Sequence, residues 1–266
     1  MNHQAVPLRR VVPARLAGFI GPIARDDDGI IEAMAARHAS WNPAQLVNRL
    51  TVTARLYESV WRVRSLGLLA GRAFPVGEEL AELATAVQPA LEGGGVVLDV
   101  ACSEGLYGRH LAHGGAEVVL IDHSSPFLRR ALQRCALEDI GDRVDAVRAL
   151  AAHLPFSDGS VDAVVMGGSL NEIGDEAAAL AEMVRVLRPG GRLFCMSLVP
   201  ADSGAARLAQ LLAGPNGIRF PTSARTVAWL GSSMRLVEER RDGIVLRITA
   251  EKRSDSPGSG PGPTAG

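Results

Sequence analysis

From residue 96 onward the hydrophobic positions change rhythm. Short, nearly unbroken apolar runs such as VVLDV (96–100) and VDAVVM (161–166) alternate with longer stretches in which apolar residues return every three or four positions. The first kind suits strands covered on both faces, and the second suits amphipathic helices. The pattern predicts strands over 96–100, 116–121, 144–149, 161–166 and 192–198, with helices over about 105–113, 126–139 and 175–187 between them. Ser125 followed by Pro126 is a helix start, since a hydroxyl caps free amides and proline needs no partner for a missing N–H. Residues 223–231 read as a further short helix, and 234–239 with 243–250 as two late strands joined by RDG, a hairpin signal. This alternation predicts an α/β chain with a doubly wound, seven-stranded sheet, parallel apart from an antiparallel pair at one edge.

The region before this core reads differently. From Ile30 to about Leu69 the periodicity is helical, with Leu46, Leu50, Tyr57, Val60, Trp61 and Val63 at three- and four-residue steps. Glu78 to Leu91 forms a second amphipathic helix, stopped by the glycines at 93–95. Residues 1–29 have no sustained period, and the run Asp26, Asp27, Asp28 reads as the cap of the following helix, because no partner ligands sit at a spacing that would hold a metal. The tail from Ser254 is rich in Pro, Gly and Ser and has nothing to bury. The expected organisation is therefore a poorly structured segment at 1–29, a helical cap that covers a substrate at 30–92, the core at 93–251 and a disordered tail at 252–266.

Composition narrows the function classes. At 266 residues and 47% hydrophobic, the chain can bury one substantial core with some additional cover. A net charge of −1, with Lys252 the sole lysine and no arginine stripe, argues against a nucleic-acid partner. Three widely spaced cysteines, Cys102, Cys135 and Cys195, form neither a CxxC pair nor a disulfide framework, which fits the cytoplasm and no metal site. RLAGFIGPIA (15–24) is too short and interrupted for a secretion signal, and no run is long enough to span a bilayer.

The first strand-to-helix turn carries the chemistry. In a doubly wound sheet, ligands sit beyond the carboxyl ends of the strands, where the first loop meets its helix. This loop lacks the G-x-G-x-x-G of a nicotinamide site and instead offers Asp99, then Ala101, Cys102, Ser103, Glu104 and Gly105, while a second acid, Asp122, ends the next strand. Asp122 is placed to accept both hydroxyls of a ribose, since a carboxylate offers two oxygens. Gly105 lets a ligand approach the backbone at the start of a helix whose free amides favour a carboxylate. Asp99 either positions the loop or meets a ligand amino group through water.

VVLDVACSEG, VVLIDHS, LPFSDGSVDAVV and LRPGGRL, in that order over residues 96–198, resemble the class I S-adenosylmethionine-dependent methyltransferases, whose first motif reads D-x-G-x-G-x-G. The stretch from Arg55 to Leu91 is similar to the segment ahead of the core in a UbiE-like (methyltransferase type 11) subgroup that includes plant plastid members, although the Cys-rich knuckle found there is missing here. The resemblance implies a Rossmann-like methyltransferase sheet with an N-terminal helical cap, S-adenosylmethionine as cofactor, and methyl transfer to a small, partly apolar molecule such as a quinone-like, phenolic or specialised-metabolism compound.

It also implies a cofactor site built from Asp99, Ala101, Ser103, Gly105, Asp122, His123, Leu150, Ala151 and Ser169. Three positions depart from the pattern. Ala101 and Ser103 stand where glycine is usual and would be strained at positive φ. Leu150 replaces an acid that meets the adenine amino group, which leaves backbone groups near Ala151 to read the base.

In-line methyl transfer depends chiefly on alignment and exclusion of water. The loop GGSLNEIGD (167–175) supplies Asn171 and Glu172 as candidate catalytic groups, Glu172 either as a base or as a helix-capping surface charge. Asn171 is also a candidate substrate contact, as are Tyr57 and Trp61, four apart on one helical face, which either wall the substrate or simply pack on the sheet. His110, His123 and His153 are further acid/base candidates. Arg62 and Arg64 offer either an anion contact or surface ion pairs, and the segment from Asp202 to Arg225 a substrate cap. A branched side chain at Gly105 is expected to harm the cofactor site more than the fold. The competing reading is a methyltransferase-fold binding or scaffold protein that has lost its cofactor.

Overall fold

A computed structural model describes residues 13–34, 75–92, 94–202 and 204–254. Eight strands form one sheet: β1 (Ile31–Glu32), β2 (Val96–Val100), β3 (Glu117–Asp122), β4 (Val144–Arg148), β5 (Val161–Gly167), β6 (Leu187–Leu198), β7 (Met234–Asp242) and β8 (Val245–Lys252). Their order is β1-β4-β3-β2-β5-β6-β8-β7, parallel except where β8 joins β6 and β7 in antiparallel register. The chain winds outward from β2 in one direction through β3 and β4, and in the other through β5 and β6. The crevice between the ends of β2 and β5 is thus the topological switch point, where ligands bind in open α/β sheets.

The apolar strands are fully covered, as their unbroken runs require. On one face lie α1 (Val76–Leu91), α2 (Leu106–His113) and α3 (Ser125–Leu137), whose Leu83, Val87, Leu111, Leu128 and Ala131 bury against Val97, Val118, Leu120 and Phe194. On the other lies α4 (Glu176–Val186), whose Leu180 and Met183 cluster with Leu98, Val119, Ile121, Val164 and Met166. Neighbouring residues of β2 and β3 enter opposite cores, the period of two that fixes strand register. Two further helices follow β6: α5 (Gly204–Ala213), within the segment read from sequence as a cap, and α6 (Ser223–Trp229), which begins in that segment and matches the short helix read at 223–231.

The N-terminal segment departs from expectation. Residues 13–29, part of the stretch read as poorly structured, contain a 3₁₀ turn at Ala14–Leu16 and isolated bridges at Phe19 and Arg25, and an eighth strand, β1, stands where a helix was expected and pairs parallel to β4 at the sheet edge. Arg15, nearly buried, donates from Nε to Asp145 Oδ2 at 2.6 Å and from a terminal nitrogen to Glu117 Oε2 at 2.5 Å, and Arg25 pairs with the same Asp145. Phe19 meets Phe156 edge-on, ring centroids 5.6 Å apart. These polar ties between distant residues have no sequence period, so the segment read as structureless. Asp26 caps no helix: its Oδ1 accepts from the amides of Asp28 and Ile30 in the turn that leads into β1. The α3 cap also falls one residue earlier than read, at Ser124, with Ser125 and Pro126 inside the helix. Of the helical cap expected at 30–92, α1 is present, Ile31–Glu32 is strand, and Tyr57, Trp61, Arg62 and Arg64 lie outside the described residues.

Candidate functional site

The loop from Asp99 to Gly105 leaves β2 at the switch point and is anchored at both ends. Cys102 N–H donates to Ile121 O at 3.0 Å, tying the loop to β3. Asp99, 2% exposed, accepts Gly108 N–H at 2.8 Å on Oδ2, so its carboxylate holds the start of α2 in place. Gly108 lies so close to β3 that a Cβ there would approach Leu120 to 2.4 Å.

Both predicted departures from glycine are strained in the expected manner. Ala101 adopts φ 54° and Ser103 φ 52°, left-handed angles that cost a non-glycine residue about 1–2 kcal/mol. The loop therefore follows the path that glycine would take, despite its side chains. Its neighbours hold it there: Ser103 N–H donates to Asp122 Oδ2 at 3.0 Å, and Ala101 O accepts Ser169 Oγ–H at 3.1 Å. Gly105, at φ 74°, is the N-cap of α2 and brings no side chain to the amides of the first turn. A Cβ built on it points at Leu120 and Ala131, 3.1 and 3.3 Å away in the helix-covered core. The expectation for Gly105 is revised accordingly: a branched residue there would injure the fold as well as the ligand site.

Removing the strain is a direct test. Replacing Ala101 and Ser103 together by glycine should leave the fold intact and raise the melting temperature by a few degrees, about 1 kcal/mol net, because relief of strain exceeds the extra unfolded-state freedom of glycine. A lower melting temperature by calorimetry would contradict the assigned loop conformation.

At the end of β3, Asp122 is 5% exposed, and its oxygens divide the work: Oδ2 takes Ser103 N–H, and Oδ1 takes Ser124 N–H at 2.9 Å. His123 Nδ1 lies 3.4 Å from Oδ1. Asp122 O accepts Ala149 N–H, which brings the 149–153 turn alongside; in it, Leu150 and His153 form a bridge with His153 N–H donating to Leu150 O at 3.0 Å. Hydrogen bonds thus link Ala101 to Ser169 and Ser103 to Asp122, with His123 and the turn that carries Leu150 and Ala151 beside Asp122. His110 sits on α2, where burial and His113 lower its pKa.

On the β5 side, Asn171 is 2% exposed and fully engaged. Its Nδ2 donates to Leu198 O at 2.8 Å and to Arg219 O at 2.5 Å, and its Oδ1 accepts Leu198 N–H at 2.8 Å. The side chain read from sequence as a candidate catalytic group and substrate contact is a brace between the end of β6 and residue 219. Glu172, half-buried in the same turn, donates its amide to Ser169 O.

Two buried polar contacts beside the loop escaped the sequence reading. Glu104, 1% exposed, accepts from Arg130 Nε at 3.1 Å and Arg134 Nε at 2.8 Å and so clamps the loop to α3. The signal was there in Arg130 and Arg134, four apart on one helical face. Beneath the crevice, Tyr107 donates its hydroxyl to the fully buried Glu79 of α1 and lays its ring under Gly167, where a Cβ would come within 3.0 Å of it.

All three cysteines are buried free thiols. Burial raises the thiol pKa of each, to about 11 for Cys135 and about 12 for Cys195, while Asp99 and Asp122 add to the rise at Cys102. The native protein should resist iodoacetamide at pH 8 and label at all three positions in urea, as mass spectrometry would show. A folded thiol that keeps its proton while unfolded thiols ionise near pH 9 contributes stability that is lost as pH rises above 9. Complete native labelling would refute this burial.

The site accepts the group its geometry implies. Each Asp122 oxygen takes one backbone amide, which leaves further lone pairs for two ribose hydroxyls. Gly105 brings no capping side chain to α2, whose Gly108 N–H is taken by Asp99, and the positive end of the helix suits a carboxylate.

Comparison with known proteins agrees. A methyltransferase-domain family matches residues 98–195. The demethylmenaquinone methyltransferase of Lactiplantibacillus plantarum is 39% identical over 109 residues, 40% of this chain and 46% of that protein. A chloroplastic, uncharacterized methyltransferase of Arabidopsis thaliana is 34% identical over 54% of this chain and 40% of its own length. The demethylmenaquinone methyltransferase of Mycobacterium sp. strain JLS is 32% identical over 63% of this chain and 66% of its own. The chain thus spans about half the length of the first of these relatives. Among solved structures, the [4+2]-cyclase SpnF superposes with TM-score 0.62 at 18% identity, covering 83% of this chain and 99% of that one. Phosphoethanolamine N-methyltransferase 2 of Haemonchus contortus, in complex with S-adenosylhomocysteine, gives TM-score 0.58 at 14% identity over 77% and 60%.

Proposed function

Because the chain belongs to the class I S-adenosylmethionine-dependent methyltransferases of the UbiE-like type, we propose that it transfers a methyl group from S-adenosylmethionine to a small, partly apolar ring compound of the quinone-like or phenolic kind. The observation that carries this reading is the Asp122 arrangement: a buried carboxylate at the end of β3 that secures the left-handed loop and keeps acceptor capacity toward the crevice. Quinone-type relatives support the acceptor class, and a net charge of −1 argues against a nucleic-acid acceptor. A cytoplasmic setting belongs to the same proposal and is consistent with the free thiols.

When bound, S-adenosylmethionine supplies a methyl group on a sulfonium, open to in-line displacement. In this proposal Asp122 orients the ribose, Leu150 and Ala151 line the base edge, and the first turn of α2 receives the carboxylate. Ser169, bonded to Ala101, sets the spacing between the cofactor loop and the β5 loop. Asn171 fixes the wall on the acceptor side and moves no proton. Glu172, half-buried in the same turn, is the proposed acceptor of a proton from an acceptor hydroxyl.

A calorimetric titration with S-adenosylhomocysteine tests the reading. At one hundred times the dissociation constant, binding should add about 2.7 kcal/mol of stability, a rise of several degrees in melting temperature. No heat and no shift at millimolar ligand would replace the enzyme by the scaffold reading. The fold itself decides nothing here, since a cyclase shares it.

A further inference from the structure

We propose that a hollow between α4 and α6 is the ring-binding subsite for the methyl acceptor, and that Glu176 selects ligands carrying an aromatic hydroxyl. The inference rests on the methyltransferase reading and names the group by which the acceptor is held. The hollow has a volume of about 300 Å³ and is lined by Asp175, Glu176, Arg219, Phe220, Arg225 and Trp229.

Glu176 carries the argument. It is the first residue of α4 and 3% exposed, yet Oε1 has no hydrogen-bond partner among the described residues, and Oε2 has Arg219 at 3.5 Å. A buried carboxylate oxygen without a donor is costly, and a carboxylate can only accept, so the hollow calls for a ligand that donates. The remaining surroundings define that donor's body. Phe220 and Trp229 give flat apolar walls, and the volume suits a one- or two-ring molecule. Two acids and two arginines balance, and Arg225 lies over the Trp229 ring at 5.1 Å, so the lining asks for no net charge. A neutral aromatic alcohol meets all three conditions.

The hollow is also joined to the cofactor loop. Asn171 exchanges hydrogen bonds with the backbone of Arg219 in both directions, and Ser169, two residues before it, bonds Ala101. A ligand that presses on Arg219 therefore bears on the turn that rims the crevice.

Fluorescence titration of the full chain with 2-naphthol and with 2-methoxynaphthalene, the same rings without the O–H donor, tests the proposal. The expected result is at least tenfold tighter binding of 2-naphthol. Glu176→Gln should narrow that ratio at least threefold, since a neutral amide oxygen is a weaker acceptor than a carboxylate. Glu176→Leu should abolish the ratio, and it should still fold, because replacing an under-compensated buried charge with an apolar side chain is commonly neutral or stabilising. Trp229→Leu should weaken both ligands while preserving their ratio. Equal affinities in the unmodified protein, or a ratio unchanged in Glu176→Leu, would overturn the proposal. S-adenosylhomocysteine is titrated into the same samples: its normal binding beside equal naphthalene affinities sinks the subsite alone, whereas its failure to bind sinks the methyltransferase reading.

Discussion

Asp122→Ala should lower affinity for S-adenosylhomocysteine tenfold to a hundredfold and, without ligand, lower the melting temperature by roughly 5–10 °C. The first effect is the loss of charge-assisted bonds to two ribose hydroxyls, about 1.5–3 kcal/mol. The second follows from the folded state itself. The residue is 5% exposed, and its two oxygens receive the amides of Ser103 and Ser124, which alanine would leave without acceptors in a closed environment. Each orphaned amide costs about 1–3 kcal/mol, and a chain of this size loses about 2–4 °C per kcal/mol. Ser103 would also lose a tie that holds it at φ 52°, so the loop should relax toward ordinary angles.

Seen from the sequence alone, a strand-end acid open to a crevice would tolerate alanine with little loss of stability, and asparagine would weaken the cofactor less than alanine. The two amides overturn the first of these. Asparagine can satisfy one of them, but its NH₂ must then face the other, donor against donor. Asp122→Asn should therefore fall near alanine in stability, while keeping part of the ribose binding through its single oxygen. Melting curves and titrations on the three proteins decide it. Wild-type stability in both variants would show that the two amide bonds do not hold the loop in solution.

The contrast between these readings shows what was legible beforehand. The strands of the core could be read because they are buried on both faces, so that burial alone dictates their apolar runs. β2 and β3 send alternate residues into two separate cores, and their polar residues stand toward the strand ends, Asp99 in β2 and Glu117 and Asp122 in β3. Asp99 and Asp122 stood out as acids near the carboxyl ends of their strands, and the structure shows each accepting backbone amides of the adjoining segments. The strain at Ala101 and Ser103 could be read as well, because steric limits on φ depend on residue type and not on context.

Long-range polar contacts left no such trace. Arg15 meets Asp145 across 130 positions of sequence, and nothing in the pattern of residues 13–29 announces it. The strand Ile31–Glu32 is two residues long and exists through pairing with β4, so local periodicity favoured a helix instead. Glu104 was hidden for a related reason. In the sequence it stands only as one loop residue, and its partners lie 26 and 30 positions away, where Arg130 and Arg134 of α3 donate to its two oxygens. The buried charge ties the loop to α3.

Asn171 is the place where the difference between contact and brace has the largest measurable effect. Its amide closes three bonds at once, accepting Leu198 N–H and donating to the carbonyls of Leu198 and Arg219, and its own backbone oxygen accepts Arg219 N–H. Asn171→Ala should leave these buried backbone groups short of partners and cost about 2–4 kcal/mol. Asn171→Asp should be worse than alanine, although it is the smaller change in shape. It replaces the donating NH₂ with an oxygen, so a carboxylate faces two carbonyl oxygens at distances suited to hydrogen bonds, and burial prevents water from relieving the repulsion. Raising the proton concentration should partly rescue it, because a protonated carboxyl regains one donor: Asn171→Asp should be more stable at pH 5 than at pH 8, with the alanine variant showing no comparable gain. Cofactor binding separates this account from a catalytic one. The brace lies on the β5–β6 side, away from Asp122, so either variant that remains folded should bind S-adenosylhomocysteine within a few fold of wild type while losing the hold on Arg219 and the hollow beside it. If Asn171 instead met the acceptor directly, both variants would lose methyl transfer with their melting temperatures unchanged. Thermal melts at two pH values, read beside the titration, distinguish the two.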